Sequence, residues 1–174
     1  MFSDPLKNIE QFGVDPGMKV ADLGSGAGFY SLEIAKVVGE TGSVFAVDVQ
    51  QDLIIKLKNE AKNRGLSNIE VIWGDIDELN GSKLQDNSVD RVLVANVLFQ
   101  SDDKKELAKE AKRILRPGGM LMLVDWSDSF GGLGPQPSRI VSKDQGKAIF
   151  EEVGLSYLRD IEAGAHHYGI VFKN

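Results

Sequence analysis

The residues of this chain whose types and spacing can do chemistry begin with Asp22-Leu23-Gly24-Ser25-Gly26-Ala27-Gly28. A short apolar run passes through glycines at alternating positions into residues with helical periodicity, which reads as strand, turn and helix. Such a turn offers unusual dihedrals, backbone that a ligand can approach closely, and a helix start whose free N–H groups favour an anion. Alone, G-x-G-x-G is a weak signal, and the ordinary glycines of a strand-to-helix turn are the alternative reading. Asp48, twenty residues after Gly28, ends a second apolar run. A carboxylate there can accept hydrogen bonds from both hydroxyls of an adenosine ribose. Asp75 ends a third run, where a carboxylate can accept from the exocyclic amine of adenine. A lone acid at a strand end is usually a solvated turn residue; three in succession, at Asp22, Asp48 and Asp75, point to a nucleoside-containing ligand.

His166 and His167 are the only histidines. With an ordinary pKa of about 6.5, either can act as a base near neutral pH. The plainer reading of adjacent histidines in a hairpin turn is that they are polar turn residues. Trp126 and Phe99 read equally as aromatics that stack on a substrate or as residues at the edge of the core. Tyr30, at the start of a helix, either lines the site or packs.

These residues need a frame to hold them. Apolar runs predict strands over 19–23, 43–48, 69–73, 89–95 and 120–125, the fourth nearly continuous, as in a strand covered on both faces. Helical spacing predicts helices over 29–38, 51–64, 103–115 and 143–153, with Gly39, Gly65 and Gly154 as stops. A short helix is expected around 6–12, and 76–84 reads as one or two helical turns. Arg116-Pro117-Gly118-Gly119 reads as a turn into the fifth strand. Residues 126–141 hold too many glycines and prolines for an element, and form the longest loop. Ser142 with Gln145 has the form of a capping box. Residues 155–161 and 168–173 close the chain as a strand pair joined by 162–167. Alternating strands and helices imply a parallel sheet covered on both faces, with the ligand at the carboxyl ends of the strands beside the first.

At 174 residues the chain suits one domain, 1–174, with 1–18 a short N-terminal segment. The net charge of −6 argues against a nucleic-acid partner, which would favour a basic surface. Without cysteine there is no disulfide, thiolate metal site or cysteine nucleophile. No run approaches membrane-spanning length and the start lacks a basic segment followed by an apolar core, so a cytoplasmic protein without membrane insertion is expected.

With these residues in view, the chain resembles the class I S-adenosylmethionine-dependent methyltransferases. The resemblance runs from about residue 13 to 174. It is carried by Asp22-Leu23-Gly24-Ser25-Gly26-Ala27-Gly28, Ala46-Val47-Asp48, Gly74-Asp75-Ile76 and Leu115-Arg116-Pro117-Gly118-Gly119. Within that family the chain is most similar to small-molecule enzymes of the ubiquinone/menaquinone-biosynthesis type.

The resemblance implies an α/β fold, a Rossmann-like three-layer sandwich around a seven-stranded, mostly parallel sheet ordered 3-2-1-4-5-7-6 with strand 7 antiparallel. It implies S-adenosyl-L-methionine as cofactor and S-adenosyl-L-homocysteine as product; no metal is expected. It also implies that the backbone of Gly24, Ser25, Gly26 and Gly28 meets the methionyl part, with Asp22 near its amino group and the backbone around Asn96 closing that end. Asp48 and Val49 go with the ribose, and Asp75 and the Ile76 backbone with adenine. The acceptor side then falls to the stretch 96–100 including Phe99, to 126–139 including Trp126, to Tyr30, and to His166 and His167 as catalytic candidates.

The acceptor class can be narrowed. Asn96-Val97-Leu98-Phe99 lacks the Asn-Pro-Pro-aromatic pattern of enzymes that methylate exocyclic amines of bases. The absence of cysteine removes the covalent cytosine-5 mechanism and thiolate arsenite methylation. Asp125 and Asp128 are thin support for a metal-assisted catechol-type site. A small-molecule acceptor is expected. Only eighteen residues precede the first strand, fewer than in relatives with a helical lid, so the site is expected to be open, closed by 126–141, or completed by a second subunit in a homodimer. Two other readings stand beside this one: a cofactor-binding module without turnover, and an NAD-dependent oxidoreductase. Binding without methyl transfer would favour the first, and tighter binding of NADH than of S-adenosylhomocysteine the second.

Overall fold

The computed structural model describes residues 3–130, 132 and 134–174; Met1, Phe2, Gly131 and Leu133, the last two in the long 126–141 loop, lie outside the described residues. Seven strands form one sheet in the order β3-β2-β1-β4-β5-β7-β6. They are β1 (Lys19–Leu23), β2 (Ser43–Asp48), β3 (Ile69–Trp73), β4 (Val89–Ala95), β5 (Leu115–Trp126), β6 (Ser156–Ile161) and β7 (His167–Lys173). The first five are parallel where they pair, and β7 runs antiparallel between β5 and β6. The strand order and direction are those expected from the sequence.

Successive side chains on a strand point to opposite faces, so the apolar runs feed two separate cores. On one face, Val20, Val44, Leu93, Met122, Val124 and Val171 meet α1 (Pro5–Phe12) and α2 (Phe29–Val38). On that side α3 (Gln51–Asn63) adds Leu57 and Ala61 against Ala46. On the other face, Ala21, Leu23, Val92, Val94, Leu121, Leu123 and Phe172 meet α4 (Lys104–Ile114) and α5 (Lys143–Glu152). Each fully buried Val, Leu, Met or Phe among them contributes roughly 1.5–3 kcal/mol of hydrophobic stabilisation. Three of the helices begin on side-chain caps: Asp4 on α1, Asp103 on α4, and the Ser142–Gln145 capping box on α5.

Three local expectations are corrected. Residues 76–84 form turns without a helix. They are held by Glu110 of α4, fully buried, whose carboxylate accepts the N–H groups of Asn80 (2.8 Å) and Ser82 (3.1 Å) and the Ser82 hydroxyl (2.5 Å). The β3-to-β4 crossover therefore covers the sheet without a helix of its own. The 116–119 turn is absorbed into β5, because Gly118 N–H donates to the Asn174 carbonyl and Asn174 N–H to that of Gly119. The register against β4 shifts there, between Val89 and Arg91. Lastly, β7 begins at His167, one residue early, because His167 pairs in register with Trp126. Among the described residues no helix is long and apolar enough to cross a membrane.

Candidate functional site

The glycine turn leaves β1 tightly bound to β2: Gly24 and Ser25 N–H both donate to the Val47 carbonyl, at 2.8 and 3.0 Å. Gly24 has φ +77°, and a Cβ on it would stand 2.4 Å from Val97 Cγ2, so both dihedral and space require glycine. Gly28 caps α2 with φ +85°, and the helix starts with no side-chain cap and no acid in its first turn. Of its first N–H groups, that of Ser31 is taken by the Asp22 carboxylate, and those of Phe29 and Tyr30, with no acceptor within the helix, are left for a ligand.

Above this turn lies a cleft in two parts that share Gly24, Gly26 and Gln100. One, about 170 Å³, is lined by Asp48, Val49, Asp75 and Ile76 among others. The other, about 380 Å³, is lined by Ser3, Asp22, Ser25, Tyr30 and Asn96 among others. Of the ten residues expected to contact the cofactor, the structure brings nine to this cleft, and Gly28 sits beneath it as the cap of α2.

Asp48 is 7% exposed, and both its oxygens hold backbone: Oδ2 accepts Gly26 N–H at 2.7 Å and Oδ1 accepts Gln50 N–H at 2.8 Å. It thus ties the glycine turn to the end of β2 and keeps further lone pairs for a ligand. Asp75 is exposed and accepts Asp77 N–H at 3.0 Å. Asp22 is 2% exposed and accepts the Ser31 hydroxyl at 2.6 Å. Burial pushes its carboxyl up to about 6; the Ser31 hydrogen bond opposes this and the charge of Asp48 adds to it.

Two buried polar atoms on residues that line the larger part, Ser25 Oγ and Asn96 Oδ1, have no hydrogen-bond partner among the described residues. Asn96 also sits at φ +58°, a conformation that side-chain-bearing residues rarely adopt. Buried polar groups are costly to leave unpaired, so the pair fits a ligand with polar atoms at this end. A methionyl group bears them, and S-adenosylmethionine fits the donors and acceptors present.

On the acceptor side the expected residues separate. Tyr30 lines the larger part of the cleft, and its hydroxyl meets Asn8 Nδ2 at 2.7 Å and Ser3 Oγ at 3.1 Å. Trp126 packs against His167 with the ring planes tilted by 39° and the centroids 4.3 Å apart. His167 is 8% exposed, and neither ring nitrogen has a hydrogen-bond partner among the described residues. Burial lowers its pKa, the charge of His166 lowers it further, and Asp128 opposes both. His166 Nδ1 lies 2.7 Å from Asp128 Oδ1, and its ring stacks on Phe130. Phe99 lies away from the cleft, on a separate groove of about 600 Å³ formed with Arg139, Ile140 and α5.

Asp125 and Asp128 do not converge. Asp125 is buried, accepts Leu98 N–H at 2.8 Å and is raised to about 6 by that burial, whereas Asp128 faces His166. Several residues of the cleft were not singled out from the sequence. Asp77 accepts the Ser101 hydroxyl at 2.7 Å and Asp102 N–H at 2.8 Å, joining the β3 and β4 loops. Gln100 donates to the Asn96 carbonyl at 2.8 Å and touches both parts of the cleft. The Asp75–Asp77 spacing was the one available signal. Asn8 carried none, reading as a polar residue of a short helix.

The sheet order, the glycine turn and the acids at the strand ends define a class I methyltransferase fold. Residues 14–155 match the family described as a methyltransferase domain. The ubiquinone/menaquinone biosynthesis C-methyltransferase UbiE of Haemophilus ducreyi is 32% identical over 120 residues, covering 68% of this chain and 45% of that protein. The demethylmenaquinone methyltransferase of Staphylococcus aureus is 32% identical over 119 residues, with 68% and 47% covered. Among solved structures, a SAM-dependent methyltransferase from Aquifex aeolicus is 31% identical with a TM-score of 0.90, covering 99% of this chain and 90% of that one. The chain belongs to the S-adenosylmethionine-dependent methyltransferase family, which displaces the oxidoreductase reading. It spans about half the length of the curated relatives it matches.

Proposed function

We propose that this protein binds S-adenosylmethionine across the two-part cleft and transfers its methyl group to a small-molecule acceptor. The observation that carries the reading is the pair of buried atoms without a partner among the described residues, Ser25 Oγ and Asn96 Oδ1, on residues that line the same cavity as Asp22. Bound there, the cofactor supplies an electrophilic methyl group on a sulfonium, so the protein's work is alignment and exclusion of water.

In this reading Asp22 faces the methionyl ammonium, and the uncapped start of α2 faces the methionyl carboxylate. Asp48 and the Val49 backbone hold the ribose, and Asp75 and Ile76 frame the adenine. Tyr30 and the Ser3–Asn8 segment close the methionyl end from above, supported by the Tyr30–Asn8 hydrogen bond. Of the two histidines we assign His167 to the acceptor side: it is buried against Trp126, that burial lowers its pKa, and neither ring nitrogen has a hydrogen-bond partner among the described residues. His166 holds the 126–141 loop through Asp128 and Phe130. The net charge of −6 supports a small acceptor over a nucleic acid, and with the absence of cysteine it suits a cytoplasmic protein.

Titration calorimetry with S-adenosylhomocysteine tests the cofactor half of the reading. Saturable one-to-one binding is expected, lost or much weakened by NADH competition only if the reading is wrong. Radiolabelled methyl transfer to a panel of small acceptors then tests turnover. Binding without transfer to any of them would leave a module that only binds the cofactor.

A further inference from the structure

The crossover from β3 to β4 has no helix of its own, and it is fastened at two places to the stretch that leads into and forms α4. At its far end Glu110 of α4 accepts the N–H groups of Asn80 and Ser82, and none of these three residues lines either part of the cleft. At its near end the fastening is Asp77. One carboxylate oxygen accepts the Ser101 hydroxyl at 2.7 Å; the other accepts the N–H groups of Asp102 at 2.8 Å and Asp103 at 3.4 Å. Asp103 is the N-cap of α4, so the Asp77 carboxylate faces the start of that helix, where a negative charge is favourable.

What Asp77 holds is a wall of the cleft. Asp75, Ile76 and Asp77 line the smaller part from the β3 loop, and Gln100 and Ser101 line it from the β4 loop. Gln100 and Ser101 N–H both donate to the Val97 carbonyl, at 2.9 and 3.0 Å. That turn sets the local shape of the β4 loop and leaves open its distance from the β3 loop. Among the described residues, the bonds of Asp77 are the only hydrogen bonds that join 74–84 to 96–103. Ser101 also lines the groove that carries Phe99, so it stands between two cavities, where hydrogen bonds rather than packing must fix it. The Asp77 N–H donates to Asp75 Oδ1 at 3.0 Å, so the same residue orients the carboxylate assigned to adenine.

We propose that Asp77 is a positioning residue for the cofactor: through its hydrogen bonds, and not through its charge, it sets the width of the nucleoside part by holding Gln100 and Ser101 against the β3 loop. The proposal rests on the cofactor reading above. A ligand that fills a slot gains from walls already in place, because ordering them on binding weakens affinity. Asparagine at this position keeps the arrangement without the charge. Its amide oxygen accepts the Asp102 N–H, and its amide nitrogen donates to Ser101 Oγ, which as a hydroxyl can accept. Alanine keeps neither bond.

Titration calorimetry with S-adenosylhomocysteine on the wild type, Asp77→Asn, Asp77→Ala and Glu110→Ala tests this, under conditions where circular dichroism shows each protein folded. Asp77→Ala is expected to bind roughly tenfold or more weakly, and Asp77→Asn to stay within about threefold of the wild type. Glu110→Ala removes the far fastening and more stability, and is expected to stay within about threefold as well, which separates placement of the wall from loss of stability. Without ligand, the amides of Asp102 and Asp103 should exchange faster in Asp77→Ala and at nearly the wild-type rate in Asp77→Asn. Equal losses of affinity in Asp77→Asn and Asp77→Ala would assign the effect to charge. Unchanged affinity or unchanged exchange in Asp77→Ala would make the wall self-supporting, and an equal loss in Glu110→Ala would make the effect a general loosening of the crossover. Each of these overturns the proposal, and the alanine and asparagine variants decide it even if Glu110→Ala does not fold. Wild-type protein that fails to bind S-adenosylhomocysteine would instead overturn the cofactor reading, and this proposal with it.

Discussion

Replacing Asp48 with alanine separates two roles that the sequence merges. In the structure the Asp48 carboxylate accepts Gly26 N–H at 2.7 Å and Gln50 N–H at 2.8 Å while 7% exposed, so it belongs to the scaffold as well as to the cleft. Hydrogen bonds to a charged group are worth about 1.5–3 kcal/mol each; with some solvent access the lower end applies, and losing two costs about 3 kcal/mol. For a chain of this length each kcal/mol moves Tm by about 2–4 °C, so a fall of roughly 6–12 °C is expected. Asp75 is the internal control, being exposed and accepting Asp77 N–H at 3.0 Å. Its alanine variant should change stability by no more than about 0.5 kcal/mol. Both variants should bind S-adenosylhomocysteine roughly tenfold or more weakly, each having lost about 1.4 kcal/mol or more of contact. Calorimetric unfolding without ligand, and titration with it, read the two effects separately. Equal Tm values for the two variants would refute the scaffold role of Asp48, and unchanged affinity in both would refute the assignment of the smaller part of the cleft to the nucleoside.

Two further outcomes are expected. Glu110→Ala removes the buried carboxylate that holds Asn80 and Ser82 and pairs with Arg113 at 2.7 Å; about 3–5 kcal/mol of stability should be lost, with faster amide exchange across 74–88, and exchange unchanged there would contradict the arrangement. Asp22, raised by burial from 3.8 to about 6, binds its proton more tightly when folded than unfolded. Its contribution to stability is therefore fully present below about pH 4 and is lost as pH rises to about 6. Relative to Asp22→Asn, the wild type should lose roughly 3 kcal/mol across that window in urea unfolding, and parallel pH profiles would show that the carboxyl is not raised.

The predicted strands 19–23, 43–48 and 89–95 coincide with the observed ones because a parallel strand inside the sheet, covered on both faces, must be apolar almost throughout; the edge strand 69–73 was legible instead from its β-branched residues. Helix ends were legible for a related reason: Gly39 and the Ser142–Gln145 box impose geometry from a few residues alone. The connector over 76–84 was misread because its conformation is set by Glu110, some thirty residues away on a helix where a glutamate ordinarily faces solvent. The early start of β7 has the same origin, since only pairing with Trp126 decides whether His167 belongs to the turn or to the strand.

The site divides along the same line. Asp22, Gly24, Gly26, Asp48 and Asp75 were legible because each sits at the end of a strand, and strand ends are fixed by local apolar pattern. The sequence by itself therefore determined the class of fold, the family and the end of the sheet where the two-part cleft lies. Only the tertiary structure decided how adjacent His166 and His167 divide, one held by Asp128 and the other buried against Trp126. Only the tertiary structure joined Asn8 to Tyr30 and Asp77 to Ser101. The physical reason is that burial and hydrogen-bond satisfaction are properties of what surrounds a side chain, and for these residues the surroundings come from elements distant in the chain.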